Sequence, residues 1–379
     1  MKIFHLSDLH IGKQIAGYDI EEDQRYVFSQ ILEYMDAEKP DVVIIAGDIY
    51  DRALPSAKSV TLFDELLCEI NKRGAVILVI SGNHDSAERM AYGSRIMKNA
   101  NVHIMGAYKG SCDRVIIEDE YGKVNFYLMP YVRPVDVMDY FDVAEGQNAD
   151  YAWAVDHIIE EMHPDTAERN VLVAHLNITN RGENSRTDSE SVIIGMVDNI
   201  DVKHLDAFDY VALGHLHRPQ HIGRPEVRYC GTPMAYSISE AKDHKSISVV
   251  ELSGKGDIKI RILPFKQLRG WVDFKGTMNE AMSLQKNDNY TRFLLTDEET
   301  VIDAIPRLRT IYERIIDVEF QTRAGEGDLD GIHDLSEIED KSPLELFEEF
   351  YGRKHDGMEI SDEKRKYIED IIKEMEEVE

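Results

Sequence analysis

A chain of 379 residues with a 43% apolar fraction is long enough for two or three domains and too apolar to be a disordered chain. Lys+Arg 43 against Asp+Glu 72 gives a formal net charge of −29, which excludes non-specific binding of nucleic acid or membrane by the whole surface. A local basic groove, or divalent cations that invert the charge of one site, remain compatible with that balance.

In chain order, Lys2 to Leu6 predicts a short strand running into Ser7-Asp8-Leu9-His10. Glu21 to Glu38 has Val27, Phe28, Ile31, Leu32 and Met35 at helical spacing, and Lys39-Pro40 ends it. Val42 to Ala46 is a continuous apolar run of the kind found in buried strands, and it leads into Gly47-Asp48-Ile49-Tyr50-Asp51. A second helix is expected over 57–72, with Val60, Phe63, Leu66, Leu67 and Ile70 on its core face. Ala75 to Ile80 supplies the next strand and leads into Ser81-Gly82-Asn83-His84-Asp85. This β-α-β-α-β alternation places the chain in the α/β class.

The stretch from Val102 to Met129 changes character, with alternating segments at Arg114 to Glu118 and Val124 to Leu128. It predicts antiparallel strands of a second sheet, hence a sheet-on-sheet sandwich. A helix is expected over 149–162, then strands at Val171 to Ala174, before His175, and at Tyr210 to Leu213, before Gly214-His215-Leu216-His217. The polar run Asn177 to Glu190 reads as a surface loop. Val227 to Tyr229, Ser246 to Leu252 and Lys259 to Leu263 read as closing strands. The first domain is thus expected over 1–265, and a small α+β module over about 270–322 has strands at Trp271 to Phe274, Thr291 to Leu295 and Ile316 to Phe320. From Asp334 to the end, 17 acids face 7 bases, with amphipathic helices expected over 343–351 and 362–377.

The three cysteines, Cys68, Cys112 and Cys230, lack C-x-x-C spacing and read as buried apolar packing in a reducing compartment. No apolar run approaches a membrane span, and a cytoplasmic protein is expected. His5 lies inside the first strand and reads as a core histidine. No G-x-x-x-x-G-K-[ST] pattern for ATP is present.

Five strand-like runs therefore end in side chains able to hold a metal. Loops at the carboxyl edge of such a sheet are held rigidly and close together, where ligands usually bind. A lone D-x-H or G-H-x-H is common by chance, but five at five strand ends are not independent accidents. The candidate ligands are Asp8, His10, Asp48, Asn83, His175, His215 and His217. Carboxylate, amide and imidazole without thiolate suit Mn²⁺, Fe²⁺ or Zn²⁺. Seven ligands are too many for one tetrahedral ion but suit two ions sharing a carboxylate, and Asp48 is the natural bridge. Such a pair clamps a phosphate and acidifies a shared water. His84, beside a ligand that already points at the metals, reads as a proton donor to the leaving oxygen or a stabiliser of phosphate charge. Asp85 reads as a carboxylate that fixes the loop.

The order D-x-H, G-D-x-x-D, G-N-H-D, H, G-H-x-H resembles the calcineurin-like metallophosphoesterase superfamily. Within it, S-D-L-H-I-G-K, G-D-I-Y-D-R-A-x-P-S, S-G-N-H-D-S, G-H-L-H-R-P and the G-T-P at Gly231 to Pro233 resemble the SbcD family, nuclease subunits of bacterial double-strand-break repair complexes. The resemblance implies a four-layer α/β/β/α sandwich holding two Mn²⁺. One ion would be held by Asp8, His10, Asp48 and His217, and the other by Asp48, Asn83, His175 and His215, with His84 catalytic and not a ligand. It also implies that the module at 270–322 caps the nuclease domain and docks DNA. The tail at 334–379 would bind SbcC, a coiled-coil ATPase, within a heterotetramer built on a homodimer. Archaeal and eukaryotic relatives carry His where this chain has Asp51, so a phosphate-orienting role does not carry over to that position.

The resulting expectation is an Mn²⁺-dependent DNA nuclease that trims duplex ends and opens hairpins. Lys13, Arg52, Arg89 and Arg133 are the candidates for a local DNA-binding patch. The alternatives are another member of the superfamily, a phosphoprotein phosphatase or cyclic-nucleotide phosphodiesterase, and a non-catalytic scaffold. The module and tail speak against the first, and the complete set of ligands with His84 against the second.

Overall fold

The run Val42–Ala46 (β2) shows how the fold is laid out. Val42, Ile44 and Ala46 face one apolar cluster and Val43 and Ile45 face another, the period-two alternation of a strand buried on both sides. In the computed structural model β2 lies between Lys2–Leu6 (β1) and Val76–Ile80 (β3), parallel to both. The structure describes residues 1–141, 149–180, 199–298 and 301–321, with isolated positions beyond them.

Helices Glu21–Glu38 (α1) and Ala57–Lys72 (α2) cover the outer face of this sheet. Val27, Phe28 and Ile31 of α1 and Leu62, Phe63, Leu66 and Ile70 of α2 pack with Phe4, Val43, Ile45, Ile77 and Val79. Ser56 caps α2 by accepting the Ser59 N–H at 3.1 Å. The sheet continues with Val102–Met105 (β4), parallel to β3.

The second sheet begins with the antiparallel pair Asp113–Asp119 (β5) and Gly122–Met129 (β6). Helix Tyr151–Met162 (α3) leads to Arg169–His175 (β7), and Tyr210–Gly214 (β8) runs parallel to β7 with Gly214 opposite His175. Gln220–Ile222 (β9) and Arg224–Tyr229 (β10) complete that sheet in the order β9-β10-β8-β7-β6-β5. The chain then returns to the first sheet as Ser246–Leu252 (β11) and Ile258–Pro264 (β12), giving β12-β11-β1-β2-β3-β4. Ile44, Leu78 and Ile80 of one sheet meet Phe126, Leu128, Val173 and Leu213 of the other, while α3 supplies Ala154, Val155 and Ile158 to the same core. Helix, sheet, sheet and helix make the four layers of an α/β/β/α sandwich.

Trp271–Gly276 (β13), Asn287–Leu295 (β14) and Tyr312–Phe320 (β15) form a three-stranded sheet carrying helices Met278–Ser283 (α4) and Ala304–Leu308 (α5). It is fastened to the first turn of α1. Arg269 reaches Asp23 at 2.5 Å and Asp288 at 2.7 Å, and the Tyr290 hydroxyl donates to Asp23 at 3.0 Å. Met1–Leu294 with Asp303–Glu319 form one compact unit. The second unit, Leu295–Ile302 with Phe320–Glu379, and with it both expected tail helices, lies mostly outside the described residues, as does most of the expected loop at 177–190.

Three expectations need correction. Val102–Met105 belongs to the first sheet, not the second, because sheet membership is fixed by long-range pairing that a strand's own pattern does not encode. Val60 is 46% exposed, on the first turn of α2 beside a groove of about 550 Å³ lined with Tyr50, Phe63, Met90 and Met97. Cys68 is exposed on the solvent side of α2, and only Cys230 is buried.

His5 is a buried core histidine, as its place in β1 suggests. Its Nε2–H donates to Leu213 O at 3.2 Å and Nδ1 accepts from the Tyr210 hydroxyl at 2.9 Å, which ties β1 to β8. Burial, helped by the Arg228 charge, pushes its pKa from 6.5 down to about 3. Between those values the unfolded chain binds a proton that the folded one excludes, so stability falls as pH drops through this window. A His5→Gln variant is expected to lose a slope of up to about 1.4 kcal/mol per pH unit there, read from denaturation midpoints of both proteins at pH 4 to 7. Parallel pH profiles would contradict this.

Candidate metal centre

The five motif loops meet at the carboxyl ends of β1, β2, β3, β7 and β8. The first two are zipped together: the Asp8 N–H donates to Gly47 O and the His10 N–H to Asp48 O, both at 3.0 Å. Asp8, His10, Asp48 and His215 all have positive φ, of 53°, 42°, 50° and 106°. Non-glycine residues rarely adopt that region, and four of them at one place mark a site where backbone strain is held for function.

Two glycines allow the close approach. A Cβ on Gly47, itself at φ 87°, would lie 2.3 Å from His175 Nδ1, and one on Gly82 would lie 2.1 Å from Asp48 Oδ1. Asp85 clamps the third loop to the second. Its carboxylate accepts the N–H groups of Gly82 at 2.9 Å, Tyr50 at 2.9 Å and Ile49 at 3.1 Å, the loop-fixing role read from its position. Burial, with the Asp48 charge, pushes the Asp85 carboxyl up to about 7 against the pull of those three donors.

All seven candidate ligands and His84 come together. Asp48 Oδ2 lies 3.5 Å from His175 Nε2 and 3.6 Å from His10 Nε2, and Asp48 Oδ1 accepts the His84 N–H at 2.9 Å. Asn83 Oδ1 lies 3.0 Å from His175 Nε2 and 3.2 Å from His215 Nδ1. His10 Nε2 lies 3.1 Å from His217 Nε2. Asp8 accepts the His215 N–H at 3.0 Å and the Ser7 hydroxyl. Asp8, His10, Asp48, His175 and His217 are at most 2% exposed, and His215 9%.

The arrangement fits divalent cations. His175 donates Nδ1–H to Ala46 O at 2.9 Å, so in the neutral ring Nε2 is an acceptor facing another acceptor, Asn83 Oδ1. A proton or a cation must lie between such atoms. Among the described residues, buried His10 Nδ1 has no hydrogen-bond partner. Without a cation the charges are in conflict. Burial and the neighbouring Asp48 charge raise Asp8, whereas Asp48 is held well below the ordinary carboxylate range because His175, His10 and His84 outweigh its burial. Burial drives His10 well down, while Asp48 overrides burial at His175 and lifts it to about 9.

His84 is held differently from the other histidines. Its Nδ1–H donates to Asp51 O at 2.9 Å, and its ring packs edge-on against His10 with centroids 4.8 Å apart. One of its ring nitrogens nevertheless lies within 4.8 Å of a His10 ring nitrogen and an Asp48 carboxylate oxygen.

Of the four candidate DNA contacts, Lys13 is paired with Asp51 at 2.8 Å. Asp51 Oδ1 also lies 3.7 Å from His10 Nδ1. Arg52 is 78% exposed, Arg89 lines the groove beside Val60, and Arg133 is tied to Asp136 at 2.6 Å.

Sequence reasoning missed the supports behind the ligands. Gln24 of α1 donates to His10 O at 2.9 Å and Leu9 O at 3.2 Å, and the Tyr236 hydroxyl donates to Leu9 O at 2.5 Å. A polar Gln24 three and four residues before Val27 and Phe28, on the apolar stripe, is a signal that could have found it. Glu240 and Lys245 lie behind His217, and nothing in their local sequence marks them.

Residues 1–219 match the family described as calcineurin-like phosphoesterase, and residues 264–355 match that described as type 5 capsule protein repressor C-terminal domain. The chain is 32% identical over 323 residues to the SbcD subunit of the nuclease SbcCD of Staphylococcus epidermidis, covering 83% of this chain and 84% of that protein. Among solved structures, Yfce, a phosphoesterase from E. coli, is 12% identical over 70% of this chain and 100% of its own, with a TM-score of 0.28. A dimetal phosphatase from Danio rerio is 10% identical over 69% of this chain and 98% of its own, with a TM-score of 0.38.

Proposed function

The chain belongs to the calcineurin-like phosphoesterase family and within it to the SbcD nuclease subunits, and from that premise we propose an Mn²⁺-dependent nuclease that acts on DNA ends and hairpins. It is a metal-dependent phosphodiester hydrolase. The observation that carries the finer reading is the convergence of seven O and N donors from five strand ends around Asp48, with His84 at their edge. In this reading Asp8, His10, Asp48 and His217 hold one ion, and Asp48, Asn83, His175 and His215 hold the other. Ions held by these residues would supply Lewis-acid chemistry, polarising the phosphate and lowering the pKa of an attacking water.

The chain's own groups do the rest. Asp48, fixed by the His84 N–H and by packing on Gly82, sets the spacing of the two half-sites. His84, oriented by Asp51 O, presents Nε2 as the atom that gives a proton to the leaving oxygen or neutralises charge on the phosphate. Lys13 and Arg52, beside Asp51, are the proposed first contacts of the DNA backbone. With net charge −29, binding confined to such a patch should weaken steeply with salt.

SbcC is the proposed ATPase partner, bound through the tail at 334–379, in an assembly built on a homodimer of this chain. The relative's name and the domain match at 264–355 support the complex. Exposed Leu54, Val60, Tyr92 and Ile96 offer apolar surface for the second copy. Deleting the residues after Asp334 is expected to abolish recovery of SbcC in a pull-down while leaving Mn²⁺-dependent cleavage of simple phosphodiesters. Recovery of SbcC by the truncated protein would sink the assignment of the tail.

The activity itself is tested on duplex, hairpin and phosphoprotein substrates with Mn²⁺ or Mg²⁺, alone and with SbcC and ATP. Cleavage of both DNAs with Mn²⁺ is expected. Phosphoprotein hydrolysis without DNA cleavage would replace the nuclease reading.

A further inference from the structure

Glu240 and Lys245 are 0% and 3% exposed and form an ion pair at 2.5 Å, outside every motif that supplies a candidate ligand. Burying two charges costs several kcal/mol per ion, which mutual attraction offsets only when further hydrogen bonds complete the geometry. Here Thr232 and Ser237 complete those bonds, and each half of the pair also reaches His217. Glu240 Oε1 lies 3.5 Å from His217 Nδ1, while Lys245 Nζ donates to His217 O at 2.9 Å and to Thr232 Oγ1 at 2.8 Å. Thr232, from the G-T-P stretch, donates its N–H to His217 O at 3.1 Å and its hydroxyl to Glu240 Oε2 at 3.0 Å. The Ser237 hydroxyl donates to Glu240 Oε1 at 3.2 Å. Asp243 Oδ2, 3.6 Å from Lys245, completes the charges around the pair, and its other oxygen takes Arg218.

The ring and the backbone of His217 are thus held by the two halves of a single ion pair. A proton on Nδ1, facing the Glu240 carboxylate, leaves Nε2 as the lone-pair nitrogen, and Nε2 is the atom 3.1 Å from His10 Nε2 inside the cluster. A carboxylate behind a metal-binding imidazole fixes its tautomer and its aim, and removing such a support typically costs 10–100-fold in metal affinity.

We propose that the Glu240–Lys245 pair is a positioning device that holds His217 as the Nδ1–H tautomer with Nε2 turned into the metal cluster. Neither residue touches the reacting atoms. The inference rests on reading His217 as a ligand of one of two ions.

The test uses the full chain and Mn²⁺ itself. Glu240→Met with Lys245→Met removes both charges at similar volume and leaves no buried charge unpaired. Glu240→Gln keeps an oxygen that can accept Nδ1–H. Mn²⁺ is titrated into chelator-treated protein and followed by the spectrum of the free ion, and denaturation midpoints are measured in chelator. The double variant is expected to melt within a few degrees of the unaltered protein when metal-free. One of its two Mn²⁺ binding events should weaken about 10–100-fold with the other unchanged, and Glu240→Gln should recover most of the loss.

A folded double variant that binds both ions as tightly as the unaltered protein would overturn the proposal. If the double variant does not fold, the tautomer decides, from a long-range ¹H–¹⁵N spectrum of histidine-labelled, metal-free protein with His217→Gln for assignment. His217 seen as Nδ1–H supports the proposal, and Nε2–H overturns it. Failure of the unaltered protein to bind Mn²⁺ would instead bring down the metal reading, and this inference with it.

Discussion

Replacing His84 with Gln is expected to slow DNA cleavage by about 10²–10⁴-fold, the range of a lost general acid or base, while two Mn²⁺ remain bound. The geometry requires both halves of that result. His84 Nδ1 is committed to Asp51 O, and the contact His84 makes with Asp48 comes from its backbone N–H, which the substitution preserves. Seven other donors already satisfy the cluster. Against this, a His84 ring nitrogen lies within 4.8 Å of a His10 ring nitrogen and an Asp48 carboxylate oxygen. Single-turnover cleavage and an Mn²⁺ count on the same preparation separate the two roles. Loss of an ion in the variant would make His84 a ligand.

Asp48→Asn should have the larger effect on binding. The Asp48 carboxylate lies within 3.6 Å of both His10 and His175, and it carries the charge that lifts His175 to about 9. Asn retains an oxygen for the His84 N–H, so the loops should keep their places. Two ions sharing this carboxylate would lose their common anion, and binding of each is expected to fall more than about 100-fold. The stabilisation that Mn²⁺ confers, about 2.7 kcal/mol per site at a hundred times Kd, should then disappear at that concentration. Denaturation midpoints with and without Mn²⁺ read this directly. An undiminished rise with Mn²⁺ in Asp48→Asn would show that Asp48 is not the bridge.

What the sequence disclosed followed how locally each feature is encoded. Helices α1 and α2 end where their apolar periodicity puts them, α1 at the Lys39-Pro40 signal. Strand β2 was legible because a five-residue apolar run with a glycine after it has few other uses. The motif residues stood out because Asp, Asn and His at the ends of buried strands serve no packing purpose. Val102–Met105 reads as part of the second sheet yet joins the first, because its partner β3 is chosen by tertiary pairing. Val60 satisfies the apolar period of α2 yet is 46% exposed, because it lines an open groove with Tyr50, Phe63 and Met90. Glu240 and Lys245 were invisible for a similar reason. A charged pair reads as surface until the fold buries it, and its meaning lies in His217, more than twenty residues away in the chain.

The roles proposed for Asp48, His84 and His217 all depend on where the ions sit. A crystal structure of the protein soaked in Mn²⁺, with anomalous scattering to locate the metal, measures it most directly. Two peaks are predicted about 3.5–4 Å apart, joined by Asp48, with His217 Nε2 on one and Asn83 Oδ1 on the other and His84 bound to neither. A single peak, or two without a shared Asp48 carboxylate, would contradict it.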